Sequence, residues 1–229
     1  VRSTSNWYAY AQRCPNNTNL QNKFICFSAQ DPATVTAASD QNPYALAATF
    51  VNGEVWFFDE NNTNLYKAPL YNFNKTMGAC DTVASNFDGN NNIASMSYNP
   101  VDGRIYYILY TPNRTVKLKS FDPSNINDVT EIGTFNNYAW SIAIDSNGNA
   151  YCTDLMTGNL CQLNLTNAAT TPVGNLGFTS TMPYIAFDMI TGEMLMGQME
   201  SSNDKGLYLV NPATAEKQLI GYINGGTGA

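Results

Sequence analysis

Four short segments, residues 40–44, 88–92, 136–140 and 179–184, are rich in amide and hydroxyl side chains, and most of them contain an aromatic ring. Amide and hydroxyl groups form adaptable hydrogen bonds, whereas Tyr and Trp rings stack on the apolar faces of sugars or peptides. None of the four carries Lys or Arg, the side chains that bind phosphate and carboxylate ligands. The pattern predicts a binding surface for a neutral ligand, and Trp140 offers its largest ring. The candidate ligand-binding residues are Tyr44, Asn92, Asn137, Tyr138, Trp140 and Tyr184.

Catalysis by carboxylates is the competing interpretation. A glycosidase needs two carboxyl groups on either side of one glycosidic bond, and Asp40, Asp88, Asp145 and Asp188 recur at similar intervals. An aspartate in a turn more often caps that turn. The chain has no His, which excludes Ser-His-Asp and Cys-His catalysis, and its four Arg do not form the cluster that a sialidase needs. We expect a non-catalytic protein, with a carbohydrate-active hydrolase or lyase as the alternative.

Calcium is the metal that this composition favours, because oxygen ligands are plentiful and imidazole is absent. Asp88 and Asn90 lie in an oxygen-rich stretch and are the candidate ligands. Their spacing does not match the calcium-binding loop of an EF-hand. A solvated turn is therefore the first expectation for this stretch, and no cofactor beyond calcium is expected.

The five cysteines are too few for a disulfide scaffold, and the odd number leaves at least one without a partner in the chain. Two of them flank a predicted hairpin turn and oppose each other if Asp154 pairs with Asn159 across that turn. Reduced, half-buried thiols are the alternative to bridges. The predicted pairs are Cys14–Cys26 and Cys152–Cys161, with Cys80 left over.

The charge balance limits the possible partners. The 229 residues include 11 Lys and Arg against 18 Asp and Glu, for a net charge of −7. Such a chain repels phosphate backbones, so no nucleic-acid partner is expected. No apolar run approaches the ~18 residues of a membrane span, so no membrane insertion is expected. Low charge and five N-x-[ST] sequons favour an extracellular or cell-surface location.

The chain repeats one pattern about five times. A strand of small or apolar residues is followed by a glycine turn and an aromatic second strand, and the turn glycines stand 44–50 residues apart at Gly53, Gly103, Gly148 and Gly192. A third strand ends in Asp-Pro or Asn-Pro, which start turns, and a fourth closes the unit. Four antiparallel strands in ~45 residues are typical of one blade of a β-propeller. A β-sandwich or a jelly roll is the alternative, but neither explains the repeated unit.

The sequence therefore predicts a single all-β domain, a β-propeller of about five four-stranded antiparallel blades. The approximate blades are residues 1–39, 40–87, 88–135, 136–178 and 179–229. The first blade has room for only three strands, Trp7–Gln12, Lys23–Ser28 and Val35–Ala38, and its innermost strand is the one expected to be missing. We expect either a slightly open ring or a piece of a larger propeller.

Two segments carry a resemblance to known proteins. Residues 187–194, with Asp188 and Gly192, and residues 207–215, with Asn211-Pro212, resemble degenerate blade repeats of secreted propeller proteins. These include the Asp-Pro-x-Thr-Gly repeats of Bacteroidetes surface proteins. The resemblance implies an extracellular binding or scaffolding module and supplies no catalytic residues. The predicted function is a non-catalytic module that binds a glycan or a protein on its loop face; a structural spacer of a larger surface protein is a further alternative.

Overall fold

The computed structural model describes residues 7–12, 23–39, 45–59, 64–71, 76–89, 92–178, 181–200 and 205–223, the first of these by backbone alone. They form five antiparallel sheets. The first contains β1 (Trp7–Gln12), β2 (Lys23–Ser28) and β3 (Asp31–Ala37). The second contains β4 (Ala45–Val51), β5 (Glu54–Asp59), β6 (Asn64–Tyr71), β7 (Thr76–Met77) and β8 (Asp81–Ser85).

The other three sheets each have the predicted four strands in chain order. The third contains β9 (Asn92–Asn99), β10 (Arg104–Tyr110), β11 (Val116–Asp122) and β12 (Asn125–Thr134). The fourth contains β13 (Ala139–Ile144), β14 (Ala150–Asp154), β15 (Asn159–Leu163) and β16 (Thr170–Asn175). The fifth contains β17 (Tyr184–Phe187), β18 (Met194–Met199), β19 (Lys205–Val210) and β20 (Lys217–Tyr222). No helix among the described residues is long and apolar enough to cross a membrane.

Five hydrophobic clusters join the sheets into a ring. Each of the first four joins consecutive sheets, as where Phe57 of β5 packs with Phe24 of β2. The fifth joins the last sheet to the first, through Leu195 of β18 and Phe27 of β2. Sheets packed face to face around an axis are the arrangement of a β-propeller, and the predicted fold class is confirmed.

The first sheet has three strands among the described residues, and its packing shows which one it lacks. Gly174 of β16 lies against the turn between the third and fourth strands of the next sheet, at Thr214. Gly221 of β20 lies in a similar way against Pro32, the second residue of β3, next to the turn that joins β2 and β3. β2 and β3 are therefore the third and fourth strands of their blade. The innermost strand of this blade is the one not found among the described residues.

Among the described residues, the inner strands next to the first sheet are less buried than the two farther from it. β9 and β13, which have an inner strand on either side, bury five of eight and all six of their residues. The two inner strands next to the first sheet, β4 and β17, have exposed residues: Phe50 is 44% exposed and Tyr184 is 42% exposed.

Serine and threonine hydroxyls join the inner strands to one another. Each accepts a hydrogen bond from a backbone N–H of the next inner strand, in addition to the ladders within the sheets. The pairs, acceptor first, are Thr49 with Tyr98, Ser95 with Ile142, Ser97 with Ile144, and Ser141 with Ile185. None of these hydroxyls was among the residues predicted to have a role.

Replacement of Ser141 by alanine is expected to lower the free energy of unfolding by about 1–3 kcal/mol, because it leaves the buried N–H of Ile185 without this acceptor. Ser141 is 1% exposed and lies 3.0 Å from that nitrogen. Urea denaturation measures the effect. Ser146→Ala, in an exposed turn, is the control and should change stability by less than about 0.5 kcal/mol; equal effects in the two variants would contradict a structural role for the hydroxyl.

Aspartate side chains shape the turns. Asp154 accepts hydrogen bonds from the backbone N–H of Met156 at 3.0 Å and from the Thr157 hydroxyl at 2.7 Å. Asp188 likewise accepts hydrogen bonds from the backbone N–H of Ile190 and from the Thr191 hydroxyl. The glycine that follows each threonine has a positive φ, 72° at Gly158 and 74° at Gly192, a conformation that glycine adopts without strain.

Candidate functional site

The inner strands all begin at one end of the ring, which we call the mouth. The chain enters β13 through Asn137 and Tyr138, and it enters β17 through Thr181 and Tyr184. β10 runs in the opposite direction and ends at the mouth with Tyr110. Together with Trp140, the second residue of β13, these side chains form what we call the mouth cluster: Tyr110, Asn137, Tyr138, Trp140, Thr181 and Tyr184.

Four rings of the mouth cluster pack edge to face or tilted against one another. Tyr110 lies at the centre, 5.1 Å between ring centroids from Tyr138 and 6.0 Å from Trp140. Trp140 lies 6.2 Å from Tyr184. The Tyr110 hydroxyl donates to the carbonyl oxygen of Ala139 at 2.5 Å, and burial raises the pKa of Tyr110. Tyr110 therefore contacts two of the other rings and is anchored to the backbone at Ala139.

The three predicted aromatic residues differ in how far their side chains are exposed. Trp140 is 9% exposed, whereas Tyr138 is 36% and Tyr184 is 42% exposed. The expectation that Trp140 offers the largest stacking surface is wrong, because Tyr110 and Tyr184 flank its indole ring. The rings accessible to a ligand are those of Tyr138 and Tyr184, with the side chains of Met156 and Met182 exposed on loops of the same face.

Three polar atoms at the mouth are buried without a hydrogen-bond partner. They are Oδ1 of Asn137, Nε1 of Trp140 and Oγ1 of Thr181, and no other side-chain atom of the described residues shares this state. Burial raises the pKa of Tyr184, and the nearby indole N–H of Trp140 acts in the opposite direction. The geometry between these two side chains nevertheless falls short of a hydrogen bond. Thr181 and Tyr110 complete the site but were not among the predicted residues.

The predicted register of the cysteine hairpin is confirmed, but the disulfide is not. Cys152 lies directly opposite Cys161, as Asp154 lies opposite Asn159. Both cysteines are free thiols. Directly opposed residues keep their Cβ atoms ~4.5–5.5 Å apart, wider than the ~3.8 Å of a typical disulfide. The neighbouring Cys161 thiol and burial raise the pKa of Cys152.

The carboxylate of Asp88 is bound by Lys119 and Tyr107, two residues of the third sheet. Both carboxylate oxygens contact the Lys119 ammonium, at 2.6 and 2.8 Å, and the Tyr107 hydroxyl donates to Oδ2 at 2.7 Å. The lysine thus supplies the positive charge that calcium would bring. The described residues contain no cluster of three Cys, Asp or Glu side chains that could hold a metal. A calcium site at Asp88 stays a prediction, since Asn90 lies outside the described residues.

Two candidate catalytic aspartates lie at the wrong end of the ring. Asp145 and Asp188 follow the last residues of β13 and β17, whereas the mouth is where these strands begin. Both cap turns: Asp145 accepts from the backbone N–H of Asn147 at 2.8 Å, and Asp188 from that of Ile190 at 2.9 Å. Asp145 and Asp188, which the sequence offered as candidate catalytic carboxylates, therefore lie away from the mouth.

Of the remaining predicted residues, Asn92 begins β9 at the mouth and pairs with Tyr110 in the ladder. Tyr44, Asp40 and Cys14 lie outside the described residues, so the predicted Cys14–Cys26 bridge stays a prediction. The structure therefore brings Asn92, Asn137, Tyr138, Trp140 and Tyr184 to one end of the ring.

Comparisons with known proteins show the fold and no closer relationship. No protein-family model matches the chain, and no curated protein matches it significantly in sequence. Among solved structures, a putative gluconolactonase is 11% identical over 94% of this chain and 81% of its own, with a TM-score of 0.58. An engineered GH43 glycoside hydrolase is 11% identical over 76% of this chain and 40% of its own, with a TM-score of 0.56.

A nidogen–laminin complex is 13% identical over 71% of this chain and 59% of the matched chain, with a TM-score of 0.52. The chain thus spans only 59% and 40% of the nidogen–laminin and GH43 chains that it matches. Binding proteins and enzymes share this fold, and at such identities the likeness carries no function.

Proposed function

We propose that the protein is an extracellular, non-catalytic binding module whose ligand, a glycan, sits on the mouth cluster. The observation that carries the proposal is that the partly exposed rings of Tyr138 and Tyr184 lie at the same end of the ring as three residues whose side chains each have a polar atom without a hydrogen-bond partner. Buried polar groups are almost always hydrogen bonded in folded proteins, and each one left without a partner costs about 1–3 kcal/mol. A ligand that pairs with these atoms would recover that free energy on binding.

The exposed rings support the same ligand class. Tyr138 and Tyr184 present partly accessible faces beside the polar atoms, and aromatic faces stack on the apolar faces of sugar rings. The described loops that lead into the inner strands contain no Lys or Arg, so the bidentate contacts that favour phosphates and carboxylates are not offered there. The low charge of the chain and its N-x-[ST] sequons support the extracellular location.

Hydrolysis is less well supported, because the described carboxylates near the mouth are engaged in local bonds. Asp154 binds Met156 and Thr157, and Asp88 binds Lys119. A glycosidase needs a proton-donating acid and a second carboxylate on either side of one bond.

Replacement of Tyr138 or Tyr184 by alanine is expected to weaken glycan binding about tenfold each, about 1.4 kcal/mol, through the loss of ring contact with the sugar. Calorimetric titration with a panel of neutral oligosaccharides, using the full chain, measures the effect. Tyr71→Ala is the matched control, since Tyr71 is 52% exposed but ends β6 at the opposite end of the ring.

Equal losses in all three variants would contradict a site at the mouth, as would losses that only accompany a lower melting temperature. Failure of the whole panel to bind would exclude the proposed glycan ligand and favour the spacer interpretation.

A further inference from the structure

The hydroxyls that join the inner strands all act in one direction around the ring. In each pair the hydroxyl belongs to one blade and the N–H to the next blade along the chain. β9 has the fullest set, because Ser95 and Ser97, two residues apart, accept from the N–H groups of Ile142 and Ile144 of β13, each at 3.1 Å. The same arrangement would require an inner strand of the first blade to present hydroxyls to β4.

Two backbone N–H groups of β4 are oriented to receive such hydroxyls. Val51 and Glu54 flank a two-residue turn in which both residues have a positive φ, the geometry of a type I′ hairpin. The residues that flank this turn bond to each other, and pairs alternate along an antiparallel ladder. The N–H groups of Phe50 and Ala48 therefore point away from β5, as those of Ile142 and Ile144 point away from β14.

These two donors of β4 lack the acceptors that their counterparts in β13 have. Among the described residues, no hydroxyl accepts from the N–H of Ala48 or Phe50. Both residues are exposed, whereas Ile142 and Ile144 are buried. β4 thus offers two free N–H groups, two residues apart, on the side that faces the first sheet.

The edge of the first sheet provides the other half of a site. β1 is the end strand of that sheet, pairs only with β2 among the described strands, and lies beside β4. A free strand edge presents N–H and C=O groups to which an extended peptide can add as a further strand. Side chains two residues apart in an added strand share one face, so two hydroxyls with this spacing could meet both donors of β4.

The strands around this position also define the charge of what fits there. β1, β4 and β17 contain no charged residue. A charge inserted between them would lose its water without gaining a partner, which is costly. The matching segment is therefore extended and uncharged.

We propose that the edge of β1 is a peptide-binding site for an uncharged, extended segment of a second protein that carries Ser or Thr at two positions separated by one residue. The segment pairs antiparallel with β1, and its two hydroxyls accept from the N–H groups of Ala48 and Phe50. This site is separate from the mouth cluster, and the inference does not depend on glycan binding there.

The peptide arm of the test uses a capped eight-residue copy of β9, Asn92–Asn99, because this uncharged segment already presents two hydroxyls to the next blade. The matched control is the same peptide with Ser95→Ala and Ser97→Ala. Fluorescence anisotropy of the labelled peptides, titrated with the full chain, should show about tenfold weaker binding of the control through the loss of two hydrogen bonds. Absence of binding by the serine peptide, or equal binding of the two, would overturn the inference.

Hydrogen exchange locates the bound peptide. Saturation with the serine peptide should slow exchange of the Ala48 and Phe50 amides about tenfold or more, as measured by NMR. The amide of Ile142, which is already bonded to Ser95, should not change. Binding that leaves Ala48 and Phe50 unaffected would overturn the inference. Slow exchange of both amides in the free chain would do so too, because it would mean that the chain itself covers this edge.

Ala48→Pro tests the site from the side of the protein. Proline removes the N–H that faces the peptide and breaks no bond to β5, a position at which strands tolerate it. The variant should bind the serine peptide about fivefold more weakly and should narrow the difference between the two peptides. An unchanged difference in a variant that keeps its melting temperature would contradict the site. Self-association of the full chain that the serine peptide disrupts would assign the edge to a second copy and overturn the proposed partner.

Discussion

Replacement of Phe121 by alanine is expected to lower the free energy of unfolding by about 4 kcal/mol, the usual cost of removing a fully buried phenylalanine. Phe121 is 0% exposed. Its ring lies 5.0 Å from Phe87, 6.0 Å from Tyr107 and 6.3 Å from Trp56, measured between centroids. Because these rings come from two neighbouring sheets, the cavity would open the packing between blades.

Urea denaturation followed by tryptophan fluorescence measures this change. Phe50→Ala is the control, since Phe50 is 44% exposed on an inner strand, and it should cost less than about 1 kcal/mol. Similar losses in the two variants would show that the cluster around Phe121 is not the principal contact between the second and third sheets.

Replacement of Lys119 by methionine is expected to cost about 3 kcal/mol, because it leaves the carboxylate of Asp88 largely buried without its counter-ion. Both side chains of this pair are 15% exposed. Adding Asp88→Asn to the variant should recover at least half of the loss. Asparagine keeps an acceptor for the Tyr107 hydroxyl and tolerates the positive φ of 56° at this position.

The same strand supplies the control. Lys117 pairs with Glu131 at 2.9 Å, but these side chains are 28% and 47% exposed, and exposed pairs contribute about 0–1 kcal/mol. Lys117→Met should therefore be nearly neutral by urea denaturation. A loss in Lys119→Met that Asp88→Asn does not relieve would mean that the lysine stem, and not its charge, supports the fold.

The sequence predicted the features that depend on residues close together in the chain. The glycine turns set the repeat, and the hairpin that ends in Gly158 placed Cys152 opposite Cys161 as expected, because a turn and its two strands fix each other's register. The three strands of the first sheet found among the described residues also agree with the three predicted there.

The sequence could not predict contacts between distant residues. Asp88 and Lys119 are 31 residues apart, and nothing in either segment marks them as partners. The hydroxyl of Ser141 finds its donor 44 residues away. The low exposure of Trp140 depends on Tyr110 and Tyr184 from two other strands, so its ring was mistaken for a stacking surface. The correct register of Cys152 and Cys161 likewise does not decide whether the two sulfurs form a disulfide.

The hydrophobic cluster that contains Phe27 and Leu195 has a consequence for how the chain folds. Four of the five clusters span about 50–75 positions of the sequence, whereas this one joins positions about 170 apart. Loop closure costs about 0.6 kcal/mol for each doubling of loop length, so this seam carries roughly 1 kcal/mol more entropy cost than the others. Each blade can pack on the previous one as soon as both exist, but the seam forms only when the whole chain is present. The interface between the first and last sheets is therefore the natural last step of folding and the first place for the ring to open.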